Sequence, residues 1–114
     1  MMRPNPKKLN ALQLKTLAIL QALARERAFA DPPDEDGTVL IHSPPHAHGD
    51  HFHIGPAVVR ARDATGLANP NVMNALARKG LLLGGPAGQP ILTAEGLAYD
   101  TGLADAILQH GADH

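Results

Sequence analysis

Prolines and glycines divide this sequence into short segments, and that division constrains the fold more than any other feature. The chain has 114 residues, of which 10 are proline and 11 are glycine. Both residue types end helices and favour turns. The one long uninterrupted segment precedes Pro32. The sequence therefore predicts a long first helix followed by shorter elements.

The first segment has the pattern of an amphipathic helix. Asn5 is a candidate N-cap, and Pro6 follows at the first helical position, where a missing N–H loses no hydrogen bond. Residues of the buried face recur at three- and four-residue spacing, at Leu9, Leu12, Thr16, Ile19, Leu20 and Leu23. We expect a helix over residues 5–30, ended by an acidic, proline-rich loop over 31–37.

Two short stretches then have the composition of strands. The first is "TVLIH" at residues 38–42, and the second is "DHFHI" at residues 50–54, with the turn-forming "SPPHAHG" between them. The sequence predicts a histidine-rich β-hairpin over residues 38–54. Side chains alternate along a strand, so His51 and His53 are expected to share one face of it.

The second half of the chain contains repeated start and stop signals for helices. A helix is expected to begin at Pro56 and stop at Gly66, and a second to begin at Asn69 and Pro70, which together give a helix-turn-helix over residues 56–80. Two strand candidates flank the glycine-rich loop "GGPAGQ" in residues 81–92. Thr93 is then the expected N-cap of a last helix over residues 93–110.

The segment from Ala61 to Tyr99 resembles bacterial winged helix-turn-helix transcriptional regulators. The resemblance rests on a Gly-Leu turn, on the end of the second helix, and on a Leu-Thr-x-Glu-Gly run after the hairpin. These are Gly66 and Leu67; Leu76, Gly80 and Leu81; and Leu92, Thr93, Glu95 and Gly96. It implies one domain over residues 1–114 of the α+β class, mainly helical, with a long N-terminal helix, a small β-hairpin or wing and a C-terminal helix.

The same resemblance implies binding to double-stranded DNA through the second helix of the pair. Asparagine side chains pair with adenine, and arginine or lysine with guanine or phosphate. The candidate DNA-binding residues are Arg60, Arg62, Asn69, Asn71, Asn74, Arg78 and Lys79. The alternative is that they are a helix cap, solvated side chains and partners of the helix dipole, in a winged helix that binds other proteins.

Five of the seven histidines lie in "HSPPHAHGDHFH", residues 42–53. Without cysteine, a divalent metal such as zinc or nickel must be held by His, Asp or Glu. The candidate ligands are His46, His48, Asp50, His51 and His53. The run H-x-H-x-D-H resembles the first metal motif of metallo-β-lactamase-fold hydrolases, but the further downstream ligands of that family are missing, which leaves a metallohydrolase as a distant third hypothesis.

The cluster is also similar to the His-Asp-His stretch of ferric-uptake-type metal regulators, which are themselves winged-helix proteins. That similarity implies a metal that modulates DNA binding. Two alternatives remain open. In the first, the histidines titrate in solvent without any ligand; in the second, His51 and His53 hydrogen-bond to neighbouring strands or to the acidic loop.

Net charge and the motifs that are missing from the sequence argue against several classes of function. The net charge of −1 argues against strong nonspecific binding to nucleic acid, although it allows a local basic face. Neither a phosphate-binding loop nor a G-x-S-x-G elbow is present. We expect a non-enzymatic cytoplasmic protein with no membrane segment and no nucleotide cofactor. Leucines of the first and last helices predict a homodimer, because so short a chain would otherwise expose them.

Overall fold

The computed structural model describes residues 4–45, 47–85, 88–103, 107, 109 and 110, with the backbone alone at 47, 48, 109 and 110. Within these residues are three α-helices: α1 (Ala11–Ala24), α2 (Pro70–Arg78) and α3 (Ala94–Ala98). The strands are β1 (Val39–Leu40), β2 (Ala47–His48), β3 (His51–Ile54), β4 (Ala57–Arg60), β5 (Leu82–Gly84), β6 (Pro90–Leu92) and β7 (Gln109–His110). Two 3₁₀ turns, Ala61–Asp63 and Thr65–Ala68, lead into α2.

The N-cap of helix α1 lies five residues after the predicted cap, and the helix ends at Ala24 rather than at residue 30. Its N-cap is Asn10, whose side chain accepts from the Gln13 backbone N–H at 2.8 Å, while the Gln13 side chain accepts from the Asn10 N–H at 3.0 Å. This reciprocal capping box satisfies two backbone donors that a helix start leaves open. The predicted cap, Asn5, instead bonds both backbone groups of Leu9 through its side-chain amide.

The middle of α1 lies at the centre of the molecule. The predicted face is buried at Leu9, Thr16, Ile19, Leu20 and Leu23, and so is the other side of the helix at Leu17. Buried Gln21 is satisfied because its amide donates to the backbone oxygens of Gly96 and Tyr99. Both sheets therefore share one buried core with this helix.

The first sheet has three strands in the order β1-β6-β5, all antiparallel. Strands β5 and β6 form the hairpin predicted on either side of the glycine-rich loop. Strand β1 joins the far edge of β6, with Val39 opposite Leu92. The predicted pairing of residues 38–42 with residues 50–54 is therefore wrong.

The second sheet has four strands in the order β2-β3-β4-β7, also antiparallel. A two-residue turn, Gly55–Pro56, joins β3 to β4, and Gly55 has φ +57°. Glycine at the first position of such a turn suits the type II′ geometry that connects twisted strands. Ile54 and Val59 are both buried, so the sheet packs onto the same core as α1.

Three parts of the predicted architecture are wrong. The fold is α+β but not mainly helical, because only α1 is long and about 19% of the residues lie in two antiparallel sheets. The helix expected from Pro56 is strand β4 followed by 3₁₀ turns, since the β-branched pair Val58–Val59 is buried in a sheet. Helix α3 stops at Ala98, so the helix predicted over residues 93–110 is not continuous, and residues 109–110 pair with β4 as β7.

Several local predictions are confirmed. Asn69 caps α2 with Pro70 at its first position, and Thr93 caps α3 through its side-chain oxygen.

No helix in the described part of the chain is both long enough and apolar enough to cross a membrane.

Candidate functional site

Helix α2 has one buried face and one exposed polar face. Val72, Ala75 and Leu76 are buried, and the helix packs on α1 and β5. The exposed side chains include Asn71, Asn74 and Arg78, whose spacing places them along one side of the helix. We call these three residues the α2 face. Residues 69–80 contain no Asp or Glu, so no acidic side chain on α2 itself opposes the charge of Arg78.

Asn69, another predicted DNA-binding residue, is used within the fold. Its side-chain oxygen accepts from the Asn71 backbone N–H at 3.0 Å. This bond satisfies one of the free N–H groups at the start of α2. The geometry assigns Asn69 to capping rather than to the exposed α2 face.

Lys79, at the other end of α2, holds the N-terminal segment in place. Its ammonium group donates to the backbone oxygen of Lys7 at 2.6 Å. Tyr99 adds a second attachment, because its hydroxyl accepts from the Lys7 backbone N–H at 3.1 Å and also bonds Asn5. Residues 5–8 are therefore fixed beside the carboxyl end of α2.

This attachment places two further lysines beside the carboxyl end of α2. Lys8 is exposed, and Lys7 is partly exposed and forms an ion pair with Glu95 at 3.0 Å. Lys8 has φ +55°, a left-handed backbone that costs a non-glycine residue free energy. Sequence reasoning missed both lysines as site residues, because the contact joins positions 7 and 79 and leaves no local signal.

Arg60 and Arg62 belong to a different region. Both are exposed, and they line a shallow depression together with Asp50. Arg60 lies opposite His51 in the β3–β4 register. The structure therefore groups these two arginines with the histidine-bearing strand rather than with the α2 face.

The predicted alternation along β3 is confirmed. The rings of His51 and His53 meet edge to face with their centroids 4.9 Å apart, while Ile54 is buried. His51 Nδ1 lies 3.3 Å from Asp50 Oδ1. The imidazole beside the acidic loop is that of His42, whose Nε2 lies 3.8 Å from Asp31 Oδ1.

The other predicted metal ligands are not placed by the structure. His46 lies outside the described residues, and His48 is described by its backbone, which pairs with His51 across the β2–β3 turn. Among the side chains that are described, no three His, Asp or Glu residues are gathered closely enough to hold a metal ion. The pair His51 and His53 is what the structure brings together.

Comparisons of the chain with protein-family models, with curated proteins and with solved structures found no match. The resemblance to winged-helix regulators therefore stays a prediction.

Proposed function

We propose that this protein binds double-stranded DNA and acts as a regulator, with α2 as the element that enters the major groove. The observation that carries the proposal is the α2 face, in which Asn71, Asn74 and Arg78 project from a helix whose opposite side is buried. Asparagine and arginine are side chains that read adenine and guanine edges in that groove.

Charge favours this use of α2, because Arg78 is exposed and residues 69–80 contain no Asp or Glu. Lys8, exposed beside the carboxyl end of the helix, supplies a cation suited to backbone phosphates, whereas the ammonium of Lys7 is paired with Glu95.

Two further parts of the proposal concern location and assembly. A DNA-binding regulator of this kind would work in the cytoplasm. It would bind as a homodimer if it follows the regulators it resembles, but the leucines of α1 that suggested a dimer pack inside this chain.

Titration of a fluorescently labelled generic duplex at low salt, followed by anisotropy, tests the DNA proposal. We expect saturable binding that Arg78→Ala weakens. The matched control is Arg27→Ala, which removes an exposed arginine from the segment between α1 and β1. Absence of binding at the lowest salt, or equal loss in both variants, would overturn the proposal.

Lys8→Gly separates DNA contact from folding. Glycine accepts the left-handed backbone at this position, which offsets the entropy that glycine loses on folding. The variant should keep the unfolding free energy nearly unchanged and still bind the duplex more weakly. Unchanged affinity would remove Lys8 from the proposed interface.

A second candidate function is binding of a divalent metal at the histidine hairpin. It is favoured by the contact between the His51 and His53 rings and by the carboxylate of Asp50 beside His51. The described side chains do not by themselves form a set of three ligands, so a zinc or nickel site here would need a further ligand besides the two imidazoles. Metal at this hairpin could then modulate DNA binding.

Titration with zinc and with nickel, followed by NMR of the imidazole protons, tests this candidate. We expect shifts at His51 and His53 that are lost in His51→Ala, whereas His42→Ala, which removes an imidazole outside β3, should retain them. No metal-dependent shift at either β3 histidine would rule the candidate out.

A further inference from the structure

A cavity of about 380 Å³ lies between α1, the segment after β1, the approach to α2 and the turn before β6. Its apolar wall includes Leu20 and Leu23 of α1, Ile41, Leu67, and Met73 of α2. The volume falls at the lower end of the range typical of small-molecule sites, about 300 to 1,000 Å³. It suits a molecule built on a single ring or a short chain.

Three prolines make part of this cavity rigid. Pro44, Pro45 and Pro90 contribute to the lining, and proline rings fix the backbone φ. A wall built this way is largely formed before a ligand arrives, so little ordering free energy is lost on binding. The cavity therefore has the properties of a preformed apolar site.

The polar groups of the cavity belong to His42, Ser43 and Gln89. The Ser43 hydroxyl bonds His42 Nδ1 at 2.8 Å, and the Gln89 amide donates to the His42 backbone oxygen at 3.3 Å. A serine hydroxyl has one donor and two acceptor positions, so this single bond leaves Ser43 able to bond a ligand as well. These groups suit a hydroxyl or carbonyl group.

The lack of charged side chains in the lining argues against charged ligands. None of the described residues that line the cavity is Lys, Arg, Asp or Glu. Any positive charge on His42 would already face the Asp31 carboxylate, 3.8 Å from its Nε2. A ligand with a permanent charge would lose hydration here without gaining a counter-charge.

From these observations we infer that the cavity binds a small, uncharged, mainly apolar molecule with one hydroxyl or carbonyl group, which Ser43 recognises. The inference stands apart from DNA binding, because the cavity and the α2 face use different residues. A negative result with duplex DNA leaves it intact.

The test uses 4-propylphenol as the probe, with NMR of the methyl groups of the full chain. We expect saturable shifts at Leu20, Leu23, Ile41 and Met73. Propylbenzene, which lacks the hydroxyl, and 4-propylbenzoate, which is anionic, should bind more weakly. Absence of saturable shifts overturns the site, equal binding of propylbenzene overturns the polar recognition, and tighter binding of the benzoate overturns the uncharged class.

Two variants connect the shifts to this cavity. Ser43→Ala should weaken 4-propylphenol binding about threefold to tenfold, as expected for one hydrogen bond. The matched control is Thr65→Ala, which removes an exposed hydroxyl from a 3₁₀ turn outside the lining and should change nothing. Met73→Trp should abolish binding by filling the space. If Ser43→Ala and Thr65→Ala bind the probe equally well, Ser43 does not recognise it.

Discussion

The two sheets of this protein are specified in different ways. Around the three-stranded sheet, each helix begins at a residue whose own side chain caps it: Asn10 for α1, Asn69 for α2 and Thr93 for α3. The four-stranded sheet instead depends on pairing across the Gly55–Pro56 turn and on a strand from near the end of the chain. Local side-chain signals define the first region, and tertiary pairing defines the second.

Leu76→Ala should have the largest effect on this comparison, because Leu76 is fully buried where α2 meets the core. We expect a loss of about 2–5 kcal/mol in the free energy of unfolding, from lost burial and the cavity left behind. Denaturant titration measures it, with Leu83→Ala as the control at a side chain 51% exposed. Equal effects at both leucines would contradict the placement of α2.

Gly55→Ala tests whether the turn holds the four-stranded sheet. Gly55 has φ +57°, and forcing alanine into that region costs roughly 1–2 kcal/mol. An added Cβ would also come within 2.5 Å of the Glu26 carboxyl carbon, though that flexible side chain can move.

The matched control for this turn is Gly84→Ala, because a Cβ there meets nothing within 4 Å and φ is not positive. Amide hydrogen exchange should show β3 and β4 opening in Gly55→Ala while α2 stays protected. Opening that spreads equally to α2 would mean that the two regions are not separable.

Asn69→Ala and Asn74→Ala test whether a side-chain cap stabilises α2, because they remove the same amide from the start and from the middle of the helix. Loss of the Asn69 cap should lower the unfolding free energy by about 1 kcal/mol. Asn74 is exposed within the helix, so alanine there should leave stability unchanged or slightly raised. Thermal unfolding distinguishes them, and equal effects would show that Asn69 is not a cap.

The smallest expected effect lies in the loop between α1 and β1. The Asp34 carboxylate accepts from the Thr38 hydroxyl at 2.7 Å and from the backbone N–H groups of Asp36 and Thr38. The side-chain bond from Thr38, followed by the backbone bonds, lowers the pKa of Asp34 below its ordinary 3.8. Burial opposes this shift but does not cancel it.

A lowered folded-state pKa means that this contribution to stability is present above pH 3.8 and is lost as the pH falls through the folded-state value. Comparison of wild type with Asp34→Asn across acid pH should therefore show a difference that shrinks below that pH. The opposite trend, a difference that grows on acidification, would contradict the sign of the shift.

The parts predicted from sequence are those with a local cause. Signals close together in sequence predicted the cap and proline of α2, the cap of α3 and the β5–β6 hairpin. The start of α1 was mispredicted because Asn5–Pro6 imitates a start signal, although Asn10 and Gln13 carried the correct one. Strand β4 also had a local signal, because Gly55 favours a turn and the valines at 58 and 59 favour a strand. The start signal at Pro56 led to the prediction of a helix instead.

The parts that could not be predicted depend on contacts between distant residues. Val39 pairs with Leu92, and no pattern within residues 38–42 indicates that partner. The attachment of Lys7 to Lys79 is similar, and it places exposed Lys8 beside the carboxyl end of α2. Of the candidate site, the sequence indicated the α2 face and the His51–His53 pair, whereas tertiary structure separated Arg60 and Arg62 from α2.

The salt dependence of duplex DNA affinity tests the central proposal most directly. The logarithm of the association constant should fall linearly with the logarithm of salt concentration for the wild type. Arg78→Ala should weaken binding, Lys8→Gly should weaken it and reduce that slope by about one because Lys8 is proposed to contact a phosphate, and Arg27→Ala should leave the slope unchanged. A duplex affinity that is undetectable at low salt, or a slope that Lys8→Gly leaves unchanged, would contradict the DNA-binding proposal.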